Sequence, residues 1–75
     1  MLPKGLSATT CQLVLQALTA ADTDLSAAET AQAVGISRVS ARRYLEHLCS
    51  TGQAQQGLRY GTSGRPEHRY KWGSS

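Results

Sequence analysis

Phenylalanine is absent from this 75-residue chain, and three tyrosines and one tryptophan supply all of its aromatic rings. The core must therefore be built mainly from Leu, Val, Ile and Ala, a small and mostly aliphatic interior. A chain this short makes one domain and has no room for a second. No apolar run approaches the roughly 20 residues that span a bilayer. The opening Met1-Leu-Pro-Lys-Gly5 lacks the charged and apolar regions of a secretory signal, so a cytoplasmic location with no membrane partner is expected. Cysteine is scarce as well: Cys11 and Cys49 stand far apart, each without a second cysteine nearby. That pattern fits neither a disulfide framework nor a zinc knuckle, and both read as reduced, small apolar residues. With His47 and His68 the only histidines, no Ser or Cys nucleophile has a base and an orienting partner. Gly61-Thr-Ser-Gly-Arg-Pro66 also lacks the lysine of a phosphate-binding loop. Enzymatic activity, a metal and a cofactor are not expected.

Acidic residues are few and unevenly placed. From Met1 to Val34 there is one base, Lys4, against Asp22, Asp24 and Glu29. From Gly35 to Ser75 there are seven bases against Glu46 and Glu67, so this half carries +5 while the first carries −2. Six of those seven bases are arginine, whose planar fork matches phosphate oxygens and guanine edges.

The apolar spacing sets the elements. After Ser7, a plausible N-cap, Cys11, Val14, Leu15 and Leu18 fall on one face of a helix over about Ala8 to Ala20. A polar turn and a lone Leu25 follow. Ser26-Ala-Ala-Glu29 then has the form of a capping box, opening a two-turn helix whose inner face is Ala27, Ala31 and Val34. Gly35 suits the left-handed residue that ends it. Ser37 caps a third helix that runs to about Thr51 and stops at Gly52. Two short helices across a tight glycine turn are a helix-turn-helix signature. Beyond Gly52 the period becomes two. Ala54, Gln56, Leu58 and Tyr60 alternate with Gln55, Gly57 and Arg59, and His68, Tyr70 and Trp72 with Glu67, Arg69 and Lys71. The two runs predict a β-hairpin closed onto the helices by Leu58, Tyr70 and Trp72. The fold class expected is mostly α with a small hairpin: a winged helix-turn-helix of three helices plus a two-stranded wing. Residues 7–73 form the domain, with 1–6 as residual interdomain linker and 74–75 as a loose end.

At 100° per residue, Ala41, Leu45 and Leu48 define the buried face of the third helix, with Tyr44 at its edge. Arg38, Val39, Ser40, Arg42 and Arg43 are then left outward in its N-terminal part, the part by which a recognition helix over about 37–51 enters the major groove. Arg43 and Arg38 are assigned to bases and Arg42 to phosphate, with Val39 able to meet a thymine methyl. On the wing, over about 59–69, Arg59, Arg65 and Arg69 with Lys71 form a second basic set for the minor groove or backbone. Thr62 and Ser63 add phosphate donors. Double-stranded DNA is the expected partner.

Three further readings compete. A metal sensor using Cys49, His47 or Cys11 fails because Cys11 faces the core and two ligands do not close a zinc site. A protein-interaction module would expose apolar residues on the third helix or wing, where Val39 is the sole aliphatic. RNA stacking would need free rings, and Tyr44, Tyr70 and Trp72 are assigned to the core, leaving only Tyr60.

Leu2-Pro-Lys-Gly-Leu-Ser7, Ile36-Ser-Arg-Val-Ser-Ala-Arg-Arg-Tyr-Leu-Glu46 and Gly64-Arg-Pro-Glu-His-Arg-Tyr70 together resemble the C-terminal effector domain of the citrate and dicarboxylate family of bacterial two-component response regulators. The resemblance implies a transcription factor whose receiver domain lies N-terminal to this piece. It also implies dimerisation on repeated DNA sites when that receiver is phosphorylated. No acidic phosphoacceptor pocket can be assembled from this chain, so an excised domain is expected.

Overall fold

The computed structural model describes residues 5–21, 23–60 and 66–73. Three helices lead into an antiparallel hairpin: α1 (Ala8–Ala20), α2 (Ala27–Val34), α3 (Arg38–Ser50), β1 (Ala54–Tyr60) and β2 (Pro66–Trp72). This is the winged helix-turn-helix arrangement predicted from the pattern. The expected linker at 1–6 and loose end at 74–75 fall largely outside the described residues.

Each helix begins on a serine whose side chain accepts a backbone N–H of the first turn: Ser7 from Thr10, Ser26 from Glu29 and Ser37 from Ser40. At Ser26 the box is reciprocal, since its own N–H donates to Glu29 Oε1 at 2.9 Å. Gly35 ends α2 at φ 85°, and its N–H and that of Ile36 both close on Ala31 O. A Cβ at Gly35 would meet nothing within 4 Å, so only backbone strain opposes a side chain there. Gly35→Ala is expected to cost about 1 to 2 kcal/mol. Urea unfolding checks this, with a shifted midpoint and an unchanged slope.

The core is assembled from four of the five elements, Val14 and Leu18 of α1, Tyr44, Leu45 and Leu48 of α3, Ala54 of β1 and Tyr70 of β2, with Ala27 and Val34 of α2 packed against it. Ala41 is fully buried and small, which suits close approach of α3. Tyr44 lies inside rather than at the edge, because its hydroxyl accepts the Ser7 N–H at 2.7 Å and ties α3 to the start of α1. In α2 the fully buried residue is Thr30, while Ala27 and Val34 are half-buried. Its hydroxyl is satisfied by donating to Ser26 O at 2.9 Å, so the polar group carries no burial penalty.

Register in the hairpin runs from Ala54 opposite Trp72 to Tyr60 opposite Pro66. Leu25 joins the other edge of β2 as a β-bridge, exchanging two 2.8 Å hydrogen bonds with Tyr70. Tyr70 is therefore fixed from its outer edge as well as by its packing. Of the three residues expected to close the hairpin on the helices, Tyr70 does so, but Leu58 is 57% and Trp72 40% exposed. The helices cover the ribbon at Tyr70 and at Ala54, the small residue opposite Trp72, which fills the second position in the core. Leu58, opposite His68, lies further out along the ribbon, where no helix covers it.

Both cysteines are free and half-buried against the core. Burial pushes both thiols up, with the Glu46 charge adding to the effect at Cys49, so neither is primed as a thiolate. Among the described residues no group of three His, Cys, Asp or Glu could hold a metal ion. No helix among them is long and apolar enough to cross a membrane.

Candidate nucleic-acid interface

Packing of one face of α3 determines what the other face presents. With Ala41 and Leu45 at 0% and Leu48 at 1% exposure, the opposite side carries Val39, 67% exposed, with Arg38, Arg42 and Arg43 all outside the core. Ser40 is half-buried and locally engaged: its N–H donates to Ser37 Oγ, and its Oγ accepts from the Ser37 hydroxyl at 3.0 Å. It can still donate its own proton outward. The structure therefore gathers the five predicted α3 residues on the first two turns.

Their charges differ in availability. Arg42 lies 3.8 Å from Glu46 one turn on, with both side chains more than half exposed. Such a surface pair is worth about 0.3 to 0.5 kcal/mol and yields readily to a phosphate. Arg38 and Arg43 make no ion pair among the described residues. Three acids of the chain, Asp24, Glu29 and Glu67, are already paired.

They converge on Arg69, which the sequence pattern had placed among the outward bases of the wing. Its side chain is only 10% exposed. Nε donates to Asp24 Oδ1 at 3.1 Å, Nη1 to Glu67 Oε1 at 2.7 Å, and Nη2 to the Asp24 carbonyl at 3.0 Å. Nη2 also lies 3.0 Å from Glu29 Oε1, the same oxygen that accepts the Ser26 N–H in the capping box. The Glu67 hydrogen bond holds the guanidinium above its ordinary value against the opposing effect of burial. Arg69 is thus a structural cation joining the α1–α2 connection, the start of α2 and the wing. Alternation along β2 predicted its face correctly but not what covers that face, because Asp24 and Glu29 are 45 and 40 residues away in sequence.

On the rest of the wing, Lys71 is exposed. Arg59 sits in β1 opposite Glu67, and its side chain is outside the described residues. Arg65, Thr62 and Ser63, the predicted tip contacts, lie outside them altogether. His68, which sequence reasoning did not assign to binding, is exposed on β2 and hydrogen-bonded through Nδ1 to the Gln56 amide. Its signal in the sequence was its register, two residues before the anchored Tyr70.

The pattern of the DpiA-like helix-turn-helix domain family matches residues 22–73. The chain is 49% identical over 70 residues to the probable C4-dicarboxylate response regulator DctR of Halalkalibacterium halodurans, covering 93% of this chain and 30% of that protein. It is 42% identical over 69 residues to the transcriptional regulatory protein CitT of Bacillus subtilis, covering 92% and 30%. With the transcriptional regulatory protein DcuR of Escherichia coli K12 the figures are 41% over 71 residues, 93% and 30%. The chain thus spans about 30% of the length of these relatives. Among solved structures, a possible transcriptional regulator from Methanosarcina mazei Go1 shares the fold at a TM-score of 0.78 and 14% identity, over 93% of this chain and 58% of that one. Capped helices around a glycine turn, a following hairpin and these relatives agree: the chain belongs to the DpiA-like helix-turn-helix domain family.

Proposed function

We propose that this domain binds double-stranded DNA sequence-specifically, as the effector part of a cytoplasmic transcriptional response regulator. Helix α3 lies in the major groove and the wing on the adjacent minor groove or backbone. The observation that carries this reading is the exposed face of α3, on which Arg38 and Arg43 lack ion pairs among the described residues while three acids of the chain surround Arg69. Arg43 and Val39 are the base contacts and Arg42 a phosphate contact, with Ser40 able to serve either. Arg59 and Arg65 remain wing contacts; Arg69 holds the wing instead of touching DNA. In the longer protein an N-terminal receiver domain would govern dimerisation on repeated sites, as the relatives named as response regulators suggest.

A salt titration tests this cheaply. Binding to random duplex DNA should weaken steeply with salt, the logarithm of affinity falling by about 0.9 per phosphate contact for each decade of salt. Binding that is weak and has no salt slope would instead indicate a protein-interaction module.

A further inference from the structure

The major and minor grooves of a duplex are separated by one sugar-phosphate strand. A domain that places a helix in one groove and a hairpin in the next must leave room for that strand between them. The structure contains such a space. A cleft of about 470 Å³ opens between the first turn of α2, the N-terminal half of α3 and β2, with Ala27, Ala28, Arg38, Arg42, Glu67 and His68 in its walls. We propose that this cleft seats one DNA phosphodiester, held by Arg38 and Arg42 from one side and His68 from the other. The proposal rests on the DNA-binding reading above and moves Arg38 from base contact to phosphate contact.

The walls suit an anion. Arg38 has no ion pair among the described residues, and Arg42 has only its long, exposed pairing with Glu46. His68 faces them from β2. Its Nδ1 is engaged by the Gln56 amide, which leaves Nε2 as the ring nitrogen available to a phosphate oxygen. The capping box uses the N–H groups of Ser26 and Glu29, and Thr30 N–H bonds Ser26 O. The N–H groups of Ala27 and Ala28, in the same wall, have no partner among the described residues. The one acid of the walls, Glu67, would repel a phosphate if left alone, but Arg69 holds its Oε1 at 2.7 Å. Arg43 is not among the lining residues and stays free to read a base.

The test uses a duplex recovered by selection from random DNA, with single methylphosphonates walked along both strands so that one phosphate charge is removed at a time. The position seated in the cleft should weaken binding about tenfold, the scale of a charge-assisted hydrogen bond. His68→Ala and Arg38→Gln should each weaken binding to the unmodified duplex, whatever its sequence. In those variants the same methylphosphonate should cost less than about threefold, because the coupled partner is already gone. Both positions are exposed, and thermal unfolding of the variants separates a folding defect from a lost contact. Equal losses in variant and parent at every methylphosphonate would overturn the seat while leaving DNA binding in place. A chain that binds no duplex at all would overturn both.

Discussion

Arg69→Met should destabilise the domain by about 2 to 3 kcal/mol, although it exchanges a charged residue of the wing for an apolar one of similar length. Removing one member of a fully buried ion pair costs about 3 to 5 kcal/mol, because the partner is left desolvated and unpaired. Here the partners differ in exposure: Asp24 is 25% exposed, Glu29 50% and Glu67 53%, so the latter two can turn to water and the cost is reduced. Three carboxylates brought together by one cation also repel one another once it is gone. A domain of this size has a total stability on the order of 4 to 11 kcal/mol, so the loss is a large share of it. Urea unfolding measures it, and a change under about 0.5 kcal/mol, the scale of an ordinary surface substitution, would show that the node carries no stability. Glu29→Gln sharpens the test. Glutamine can still accept the Ser26 N–H, so the cap survives while the ion pair is lost, and the cost should be well below that of Arg69→Met.

Arg43→Ala should erase sequence preference. A bidentate arginine contact to guanine discriminates by about 1 to 3 kcal/mol, roughly ten- to a hundredfold in the ratio of selected to scrambled duplex. Arg65→Ala, by contrast, should weaken binding to all sequences by a similar factor and flatten the salt slope by about one contact. Competition binding with the two duplexes reads both effects. If the two variants lower affinity for both duplexes by the same factor, Arg43 is not a base-reading residue.

Arg43 could be assigned from helical phase because Ala41, Leu45 and Leu48 fix the buried side, and a helix has only one opposite side. Arg69 could not. On a strand, alternation gives two faces but does not say which of them faces water, and here two successive residues of β2, on opposite faces, are both buried, Arg69 at 8% and Tyr70 at 1%. Leu58 and Trp72 do share the core-facing side of the ribbon with Tyr70, yet both stay exposed, because alternation gives a face and not how much of that face the helices cover.

By itself the sequence determined what depends on neighbours a few residues apart. The serine caps, the Ser26–Glu29 box and the glycine stops lie within one helical turn of the groups they satisfy, so the three helices and the turn between α2 and α3 followed from spacing. The concentration of arginine in the second half was equally plain. Only the tertiary structure decided which of those arginines are available. Asp24 and Glu29 meet Arg69 across 45 and 40 positions of chain, and Leu25 pairs with Tyr70 across the same gap. These contacts turn one basic residue into a fastening and shape the cleft beside α3. Their cause is the return of β2 against the start of α2, which no local pattern encodes.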